Sequence, residues 1–354
     1  MGRRSGYGSR QAAPSDGAAR SYLGPRPRVW IAALLVLWSA TAAWTLTFLA
    51  DPQKLVQVRN GLVATSAPES EFRWVPDNRP AEFRQEAGRI PPEIQAAVRA
   101  ALGDERTAPG TWDSALALAR HLSAGTRVIG GAIQSDTVSA YLAIRKSGGG
   151  YCADYTQVMN GLAYAAGIDI REWGMSFGNF SGDGHAFSEV YDPERGKWVF
   201  LDPFYSFYVL DASSGEPLSV LEFAAALRGG AGAEALAVQV VDPEAFSFPG
   251  ARAALEYYRR GADRVFLGMA NDVFTYDADP VVSWASRFGR KAEQAPGLLF
   301  GAAPGILILE TDTNGDAIRA LRLSTASFVL AVVLWGVATA GIVVAFARRA
   351  RQRL

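Results

Sequence analysis

Two long stretches without a charged residue, one near each end of the chain, constrain its fold more than any other feature. They run over 29–50 and 323–347. At about 1.5 Å per helical residue, each is long enough to cross the ~30 Å hydrocarbon layer of a bilayer. The sequence therefore predicts two transmembrane helices, 29–50 and 323–347, which frame one large region, 51–320.

Basic residues lie just outside both stretches. Residues 1–28 are rich in Gly, Ser, Pro and Arg and are predicted to be a disordered basic tail, and residues 348–354 are a second, short basic tail. Since basic flanks favour the cytoplasm, both termini are expected there. This makes the chain a two-pass protein of the cell membrane with a periplasmic or extracellular domain. A signal peptide cleaved near 40–42 is the alternative for the first stretch, and it would export the same domain.

The residue inventory narrows the chemistry. The 35 basic and 35 acidic residues cancel, so no nucleic-acid partner is expected. The single cysteine, Cys152, excludes intramolecular disulfides, and two histidines, His121 and His185, are too few for an ordinary zinc site. No metal and no cofactor are therefore expected. His121, near the end of a predicted helix, is interpreted as a surface or capping histidine. The bias towards Ala, Gly and Arg is typical of a GC-rich bacterial gene.

Periodicity divides the exported region into three parts. Residues 51–111 form an N-terminal linker and helical part, 112–228 a core, and 229–320 a C-terminal extension without an interpretable motif. In the core, helical spacing gives way to alternation, which predicts an α+β fold. The predicted elements are helices at Pro92–Leu102, Trp112–Leu122, Val138–Ile144, Cys152–Ala166, Leu218–Leu227 and Ala251–Arg260, and strands at Ile170–Phe177, His185–Tyr191 and Lys197–Leu201.

Cys152 follows a glycine-rich loop, Ser147–Gly150, and begins a predicted helix. A helix start offers unpaired backbone N–H groups and the positive end of the macrodipole, which favour the thiolate that attacks carbon. The same N–H groups can stabilise an oxyanion. Cys152 is therefore the candidate nucleophile. A lone cysteine in a helix is more often a packing residue, so this interpretation depends on a partner.

Strand alternation supplies that partner. It places His185 on one face of its strand and Asp202 at the end of the next. The two share a face if Tyr191 pairs with Trp198, and also if the register slides by two residues, whereas a one-residue slip separates them. In this arrangement Cys152 attacks an amide, His185 carries the proton and Asp202 fixes the tautomer of the imidazole.

At these residues the sequence resembles the transglutaminase-like superfamily. Members show a Gly-rich approach to a Cys at a helix start, then His-Ala-Trp with a following Glu, then Trp-Val-x-x-Asp-Pro. The corresponding blocks are GGGYCADYTQVMNGLAYAAGI (148–168), GHAFSEVYD (184–192) and KWVFLDPF (197–204). Two positions depart from the pattern: Phe187 replaces a frequent Trp and loses its indole N–H, and Phe204 replaces a common Thr. Neither is one of the three reactive residue types.

The resemblance implies a papain- and transglutaminase-like core, in which the helix bearing Cys152 packs on an antiparallel sheet bearing His185 and Asp202. It implies a cysteine transamidase, or a peptidase or amidase, that works through a thioester, and it places Tyr151 beside the oxyanion. The expected partners are a protein or peptide substrate outside the cytoplasm and the lipid around the two helices. A homo-oligomer or a second envelope protein is a further option.

Two questions stay open at the level of sequence. The acceptor of the acyl group can be water, which gives hydrolysis, or an amine, which gives transamidation. The alternative function is a catalytically inactive scaffold or binding protein of the envelope that keeps the fold. Two membrane helices flanking one exported domain would suit that role as well.

Overall fold

The computed structural model describes residues 27–103, 111–124, 131–133, 135–230, 232, 234–288, 293, 297–298 and 301–351. The predicted disordered tail, 1–28, lies almost entirely outside these residues, as does the end of the second tail, 352–354. The fold is α+β, as predicted from the sequence.

Helices dominate both ends of the described chain, and the predicted core elements are present close to their expected ends. The helices are α1 (Pro27–Leu49), α2 (Pro52–Val63), α3 (Pro92–Leu102), α4 (Trp112–Ser123), α5 (Thr137–Ser147), α6 (Cys152–Ala165), α7 (Val220–Arg228), α8 (Ala251–Arg259), α9 (Val273–Asp277), α10 (Pro280–Ser286) and α11 (Gly315–Arg351). The strands are β1 (Ala64–Ala67), β2 (Ile170–Ser176), β3 (Gly184–Asp192), β4 (Lys197–Leu201), β5 (Phe207–Asp211), β6 (Leu236–Val240), β7 (Val265–Gly268) and β8 (Ile306–Leu309).

A six-stranded mixed sheet organises the fold, with the order β1-β8-β7-β2-β3-β4. Strands β1 and β8 run parallel, and the other neighbours are antiparallel. Strands β5 and β6 form a separate antiparallel pair. Between β3 and β4, Tyr191 lies opposite Trp198 and the pairing continues to Ser188 and Leu201. This is the first of the two registers considered from the sequence.

The sheet has two apolar faces because side chains alternate along each strand. One face, which includes Val190 and Val199, is buried against α3, α4, α5 and α6. The opposite face, which includes Trp173 and Phe200, is buried against α7 and α8. Helix α6 also contacts β3 directly. The helix that begins with Cys152 is thus held against the strand that carries His185.

Helices α1 and α11 are long and apolar enough to cross a membrane. The chain divides into two compact units, Met1–Trp44 with Ala331–Leu354, and Thr45–Leu330. Within the first unit, the indole N–H of Trp38 donates to the hydroxyl of Thr339 (3.0 Å), and its ring centroid lies 6.1 Å from that of Trp335. The two helices therefore contact each other inside this unit.

Helix α11 begins at Gly315, earlier than the predicted start of the apolar stretch 323–347. Charged residues in its first turns lower the hydropathy there, so the apolar stretch begins later than the helix does. These first turns form an amphipathic segment of the same helix. Ile318 and Leu321 are buried against Ile308 of β8 within the Thr45–Leu330 unit. Burial of one helix face, rather than uniform hydropathy, explains the extra turns.

The C-terminal extension, 229–320, is built into the sheet. It contributes β7 and β8, which lie between β1 and β2. Hydrogen bonds also join this extension to the N-terminal part of the domain. The carboxylate of Glu86 accepts the backbone N–H groups of Phe274 and Thr275 and the hydroxyl of Thr275. Removing residues 229–320 would therefore open the sheet itself.

Candidate active site

Helix α6 has Cys152 as its first residue, and the thiol is half-buried. Gly148 ends α5 with φ 64° and Gly150 has φ 115°, both in the left-handed region that glycine tolerates. The carboxylate of Asp154 reaches back to the N–H of Tyr151 (2.8 Å). This contact satisfies a donor at the helix start and fixes the loop relative to the helix. The glycine loop predicted from the sequence thus delivers the thiol to a helix N-terminus.

Strand β3 brings His185 to this thiol. The imidazole is 5% exposed, and the thiol of Cys152 is near enough to raise its pKa. On its other side, Nε2 lies 2.8 Å from Oδ2 of Asp202. Because Nε2 faces the carboxylate, Nδ1 is the nitrogen left for the sulfur. The structure therefore brings together the three residues that the sequence analysis singled out.

Asp202 follows directly after β4 and is held through both carboxylate oxygens. Oδ1 accepts the backbone N–H groups of Phe204 (2.8 Å) and Tyr205 (2.9 Å). Oδ2 accepts from His185 and from the hydroxyl of Tyr258. A carboxylate held by donors on both oxygens cannot rotate freely. Asp202 is thus a fixed support for the imidazole.

The charge of the imidazole depends on two opposing influences. Burial acts most strongly and lowers the pKa of His185, but the carboxylate of Asp202 and the thiol of Cys152 together raise that pKa to about 10. Aromatic rings pack around the imidazole, and the ring centroids of Tyr205 and Tyr257 lie 4.9 and 5.6 Å from its centroid. This raised pKa favours the protonated, cationic form of His185 at neutral pH.

Three tyrosines line this site, and two of them come from α8 in the C-terminal extension. Burial is the main cause that raises the pKa of Tyr205, Tyr257 and Tyr258. Their hydroxyls consequently keep their protons at neutral pH. Helical spacing predicts the helix that carries Tyr257 and Tyr258, but nothing in its sequence gives that helix a role. The available signal was a pair of consecutive tyrosines on an amphipathic helix.

A buried ion pair supports the strand that carries His185. Glu189 lies further along β3 and accepts from the guanidinium of Arg171, from the indole N–H of Trp173 and from the backbone N–H of Val220, each at 2.7 Å. The guanidinium also lies 4.6 and 4.3 Å from the centroids of two tryptophan rings. In the sequence, Glu189 stands out only as part of the block GHAFSEVYD (184–192). An arginine within an apolar strand was the signal for its partner.

Tyr151, expected beside the oxyanion, lies at the N-cap of α6 with its side chain 50% exposed. Its backbone N–H is bonded to Asp154, so its side chain is the part that faces solvent. Tyr151 and Ala153, the neighbours of Cys152, line a cavity of about 550 Å³. The cavity extends along α6 to Asn160, between α2 and the sheet.

His121 belongs to a different cluster. It is half-buried near the end of α4, and its Nε2 lies 3.0 Å from the hydroxyl of Tyr141. Burial, with the charge of Arg145 as a second cause, lowers the pKa of His121.

Over the part of the chain that the structure describes, no group of three His, Cys, Asp or Glu side chains could hold a metal ion.

Comparison with protein families gives one match. Residues 104–203 match the model of the transglutaminase-like superfamily. This segment spans α4 to β4 and contains Cys152, His185 and Asp202, while α8, β7 and β8 lie outside it. No curated protein and no solved structure matches the chain.

Proposed function

We propose, from the premise that residues 104–203 carry a transglutaminase-like core, that this protein is a membrane-anchored cysteine enzyme acting on amide bonds. One observation carries the proposal: the buried imidazole of His185 is hydrogen-bonded to the carboxylate of Asp202, and the thiol of Cys152 is near enough to raise the pKa of that imidazole as well. Enzymes that form acyl thioesters use a nucleophile, a base and an orienting group in this order.

The first half of the proposed reaction forms the thioester. The thiolate of Cys152 attacks the carbonyl carbon of the amide, a C–S bond forms, and the carbonyl electron pair moves onto oxygen. The backbone N–H groups of Cys152 and Ala153, at the positive end of the α6 macrodipole, can stabilise this oxyanion. His185 donates its Nδ1 proton to the amide nitrogen, the C–N bond breaks and the amine leaves. Asp202 keeps the imidazole oriented throughout.

The second half releases the acyl group. Neutral His185 removes a proton from the incoming nucleophile as that nucleophile attacks the thioester carbon. The C–S bond breaks and the thiolate of Cys152 is restored. Water as the nucleophile gives a carboxylic acid, and a primary amine gives a new amide. The thiol of Cys152 is only half-buried, so it is accessible from solvent, and both acceptors belong to the proposal.

The proposal places this chemistry outside the cytoplasm. Helices α1 and α11 meet the length and hydropathy requirements of membrane spans, and arginines lie beyond the outer end of each. Because basic segments stay in the cytoplasm, the domain between the helices faces the periplasm or the extracellular side. A protein or peptide of the cell envelope is then the substrate class within reach.

A labelling experiment tests this topology. In a Cys152→Ala background, a cysteine at Ser70, which is exposed, should react with a membrane-impermeant maleimide on intact cells. A cysteine at Ser5, in the N-terminal tail, should react only after the membrane is permeabilised. Labelling is read as a mass shift on gels, and the opposite pattern would show that the domain faces the cytoplasm.

Alkylation by iodoacetate tests the pairing of Cys152 with His185. The imidazolium attracts the anionic reagent, so the rate should be high at neutral pH and fall as pH rises through about 10, where His185 loses its proton. His185→Ala should lower the rate at pH 7 by roughly tenfold or more and remove the alkaline fall. Because Cys152 is the only cysteine of the chain, intact mass reports this thiol alone.

Two controls sharpen this test. His121→Ala removes the other imidazole, which contacts Tyr141, and should leave the profile unchanged. Iodoacetamide, which is uncharged, should show little of the alkaline fall. If His185→Ala alkylates with the same rate and pH profile as the parent protein, the pairing is rejected. The inactive scaffold then becomes the better account.

A further inference from the structure

Helix α8 inserts a tyrosine into the support of the proposed site from outside the family-matching segment. Tyr258 is 2% exposed, and its hydroxyl donates to Oδ2 of Asp202, the same oxygen that contacts His185. The two residues joined by this bond are 56 positions apart in the chain. The contact therefore depends on the tertiary packing of α8 against the sheet.

The surroundings of Tyr258 show what its hydroxyl contributes. The ring lies among phenylalanines, with centroids 5.7 Å (Phe187) and 5.5 Å (Phe200, Phe207 and Phe223) away. A phenylalanine would fill such a pocket without burying a polar group. A buried hydroxyl costs free energy unless it is hydrogen-bonded, and its partner here is Asp202.

We propose that Tyr258 is a positioning residue, which holds the Asp202 carboxylate and, through it, the His185 imidazole in the orientation that Cys152 requires. The reaction that this positioning serves is the proposed function, on which the inference rests in that respect. The positioning itself is argued only from the hydrogen bonds of Asp202. The backbone donors of Phe204 and Tyr205 fix Oδ1. Only Tyr258 and His185 share Oδ2 among the described hydrogen bonds, so the tyrosine sets how that oxygen faces the imidazole.

The shared oxygen also links Tyr258 to the charge of His185. A donor on Oδ2 withdraws part of the negative charge that the imidazolium feels. Burial and the charge of Asp202 raise the pKa of Tyr258 well above its usual value, so this donor keeps its proton over the working pH range. Without it, the carboxylate stabilises the imidazolium more strongly, and the pKa of His185 should rise further.

Tyr258→Phe in the full-length, membrane-anchored protein tests the proposal, since it removes one oxygen and keeps the ring. The cation persists at pH 7 in this variant, so a change in rate reports orientation: with the imidazole no longer held toward Cys152, we expect iodoacetate alkylation at pH 7 to slow roughly tenfold, the value of one hydrogen bond to a charged group. In histidine-labelled protein, the NMR titration of His185 should move to higher pH. The chain has two histidines, and His121 serves as the internal reference.

Two further variants separate positioning from packing. Tyr208→Phe removes the hydroxyl of a half-buried tyrosine whose ring packs on Trp112 (5.2 Å), and it should change neither readout. In an Asp202→Asn background, Tyr258→Phe should cause no further loss, because the tyrosine acts through the carboxylate. A full additional loss in that background would overturn the proposal.

The outcomes also distinguish this inference from the proposed function. If Tyr258→Phe lowers thermal stability but leaves the His185 titration and the alkylation rate unchanged, Tyr258 is only a packing residue, whatever the reaction. If the titration and the rate move as expected while the parent protein processes no amide, positioning holds and the amide chemistry fails. A parent protein whose alkylation does not depend on His185 overturns both.

Discussion

Cys152→Ser should abolish acyl transfer while leaving the fold intact. The hydroxyl replaces the sulfur with little change in volume, but at neutral pH it is far harder to ionise than a thiol, so the His185 cation cannot maintain an oxyanion nucleophile. Loss of the nucleophile from such a group of residues lowers turnover by about 10⁴-fold or more. The thermal midpoint should stay within a few degrees of the parent value, because the half-buried thiol is not a core residue.

The measurement uses envelope extract as the source of substrate. The parent protein should acquire an acyl adduct on Cys152, seen as an added mass that hydroxylamine removes, and Cys152→Ser should not. Adding a fluorescent primary amine and a glutamine-bearing protein then identifies the acceptor. Incorporation of the amine indicates transamidation, and release of ammonia or peptide without incorporation indicates hydrolysis. If amine incorporation and the release of ammonia or peptide in the extract are the same for the parent, Cys152→Ser and His185→Ala, catalysis by this site is contradicted.

Local periodicity accounts for the parts of the site that could be predicted. The helix beginning at Cys152 follows from its glycine loop and apolar spacing, and both features act over a few residues. Likewise, alternation along β3 and β4 predicts that His185 and Asp202 lie on the same face of the sheet. The short connecting turn allows few registers, so this prediction needs only neighbouring residues. Neighbours in sequence determine these relations, so one sequence is enough to infer them.

The remaining parts depend on contacts between distant segments. Strands β7 and β8 have only four residues each, too few for a clear alternation, and they gain their partners by insertion beside β1 and β2. Tyr258 is similar, since helical spacing predicts its helix but not that its hydroxyl meets Asp202. The early start of α11 was also missed, because charged residues hid an amphipathic face. Tertiary burial decides each of these features.

Of the single substitutions proposed for this domain, Glu189→Ala should lower the free energy of unfolding most. It leaves the guanidinium of Arg171 buried, with a side chain 2% exposed, and it removes the acceptor of the Trp173 indole and the Val220 N–H. Breaking a buried ion pair from one side costs about 3–5 kcal/mol because the remaining charge is uncompensated. Thermal and denaturant unfolding of the full chain in detergent measure this loss.

The size of the loss identifies its cause. Replacing both partners, Arg171→Met with Glu189→Leu, should destabilise less than Glu189→Ala alone, since no unpaired charge stays buried. Glu216→Ala is the matched surface control: its side chain is 62% exposed in a 3.5 Å pair with Arg195, and it should cost about 0–1 kcal/mol. Because Glu189 and His185 share β3, the Glu189→Ala protein should also alkylate Cys152 more slowly than the double variant. A double variant as unstable as Glu189→Ala would mean that the lost hydrogen bonds to Trp173 and Val220, rather than the stranded charge, support this strand.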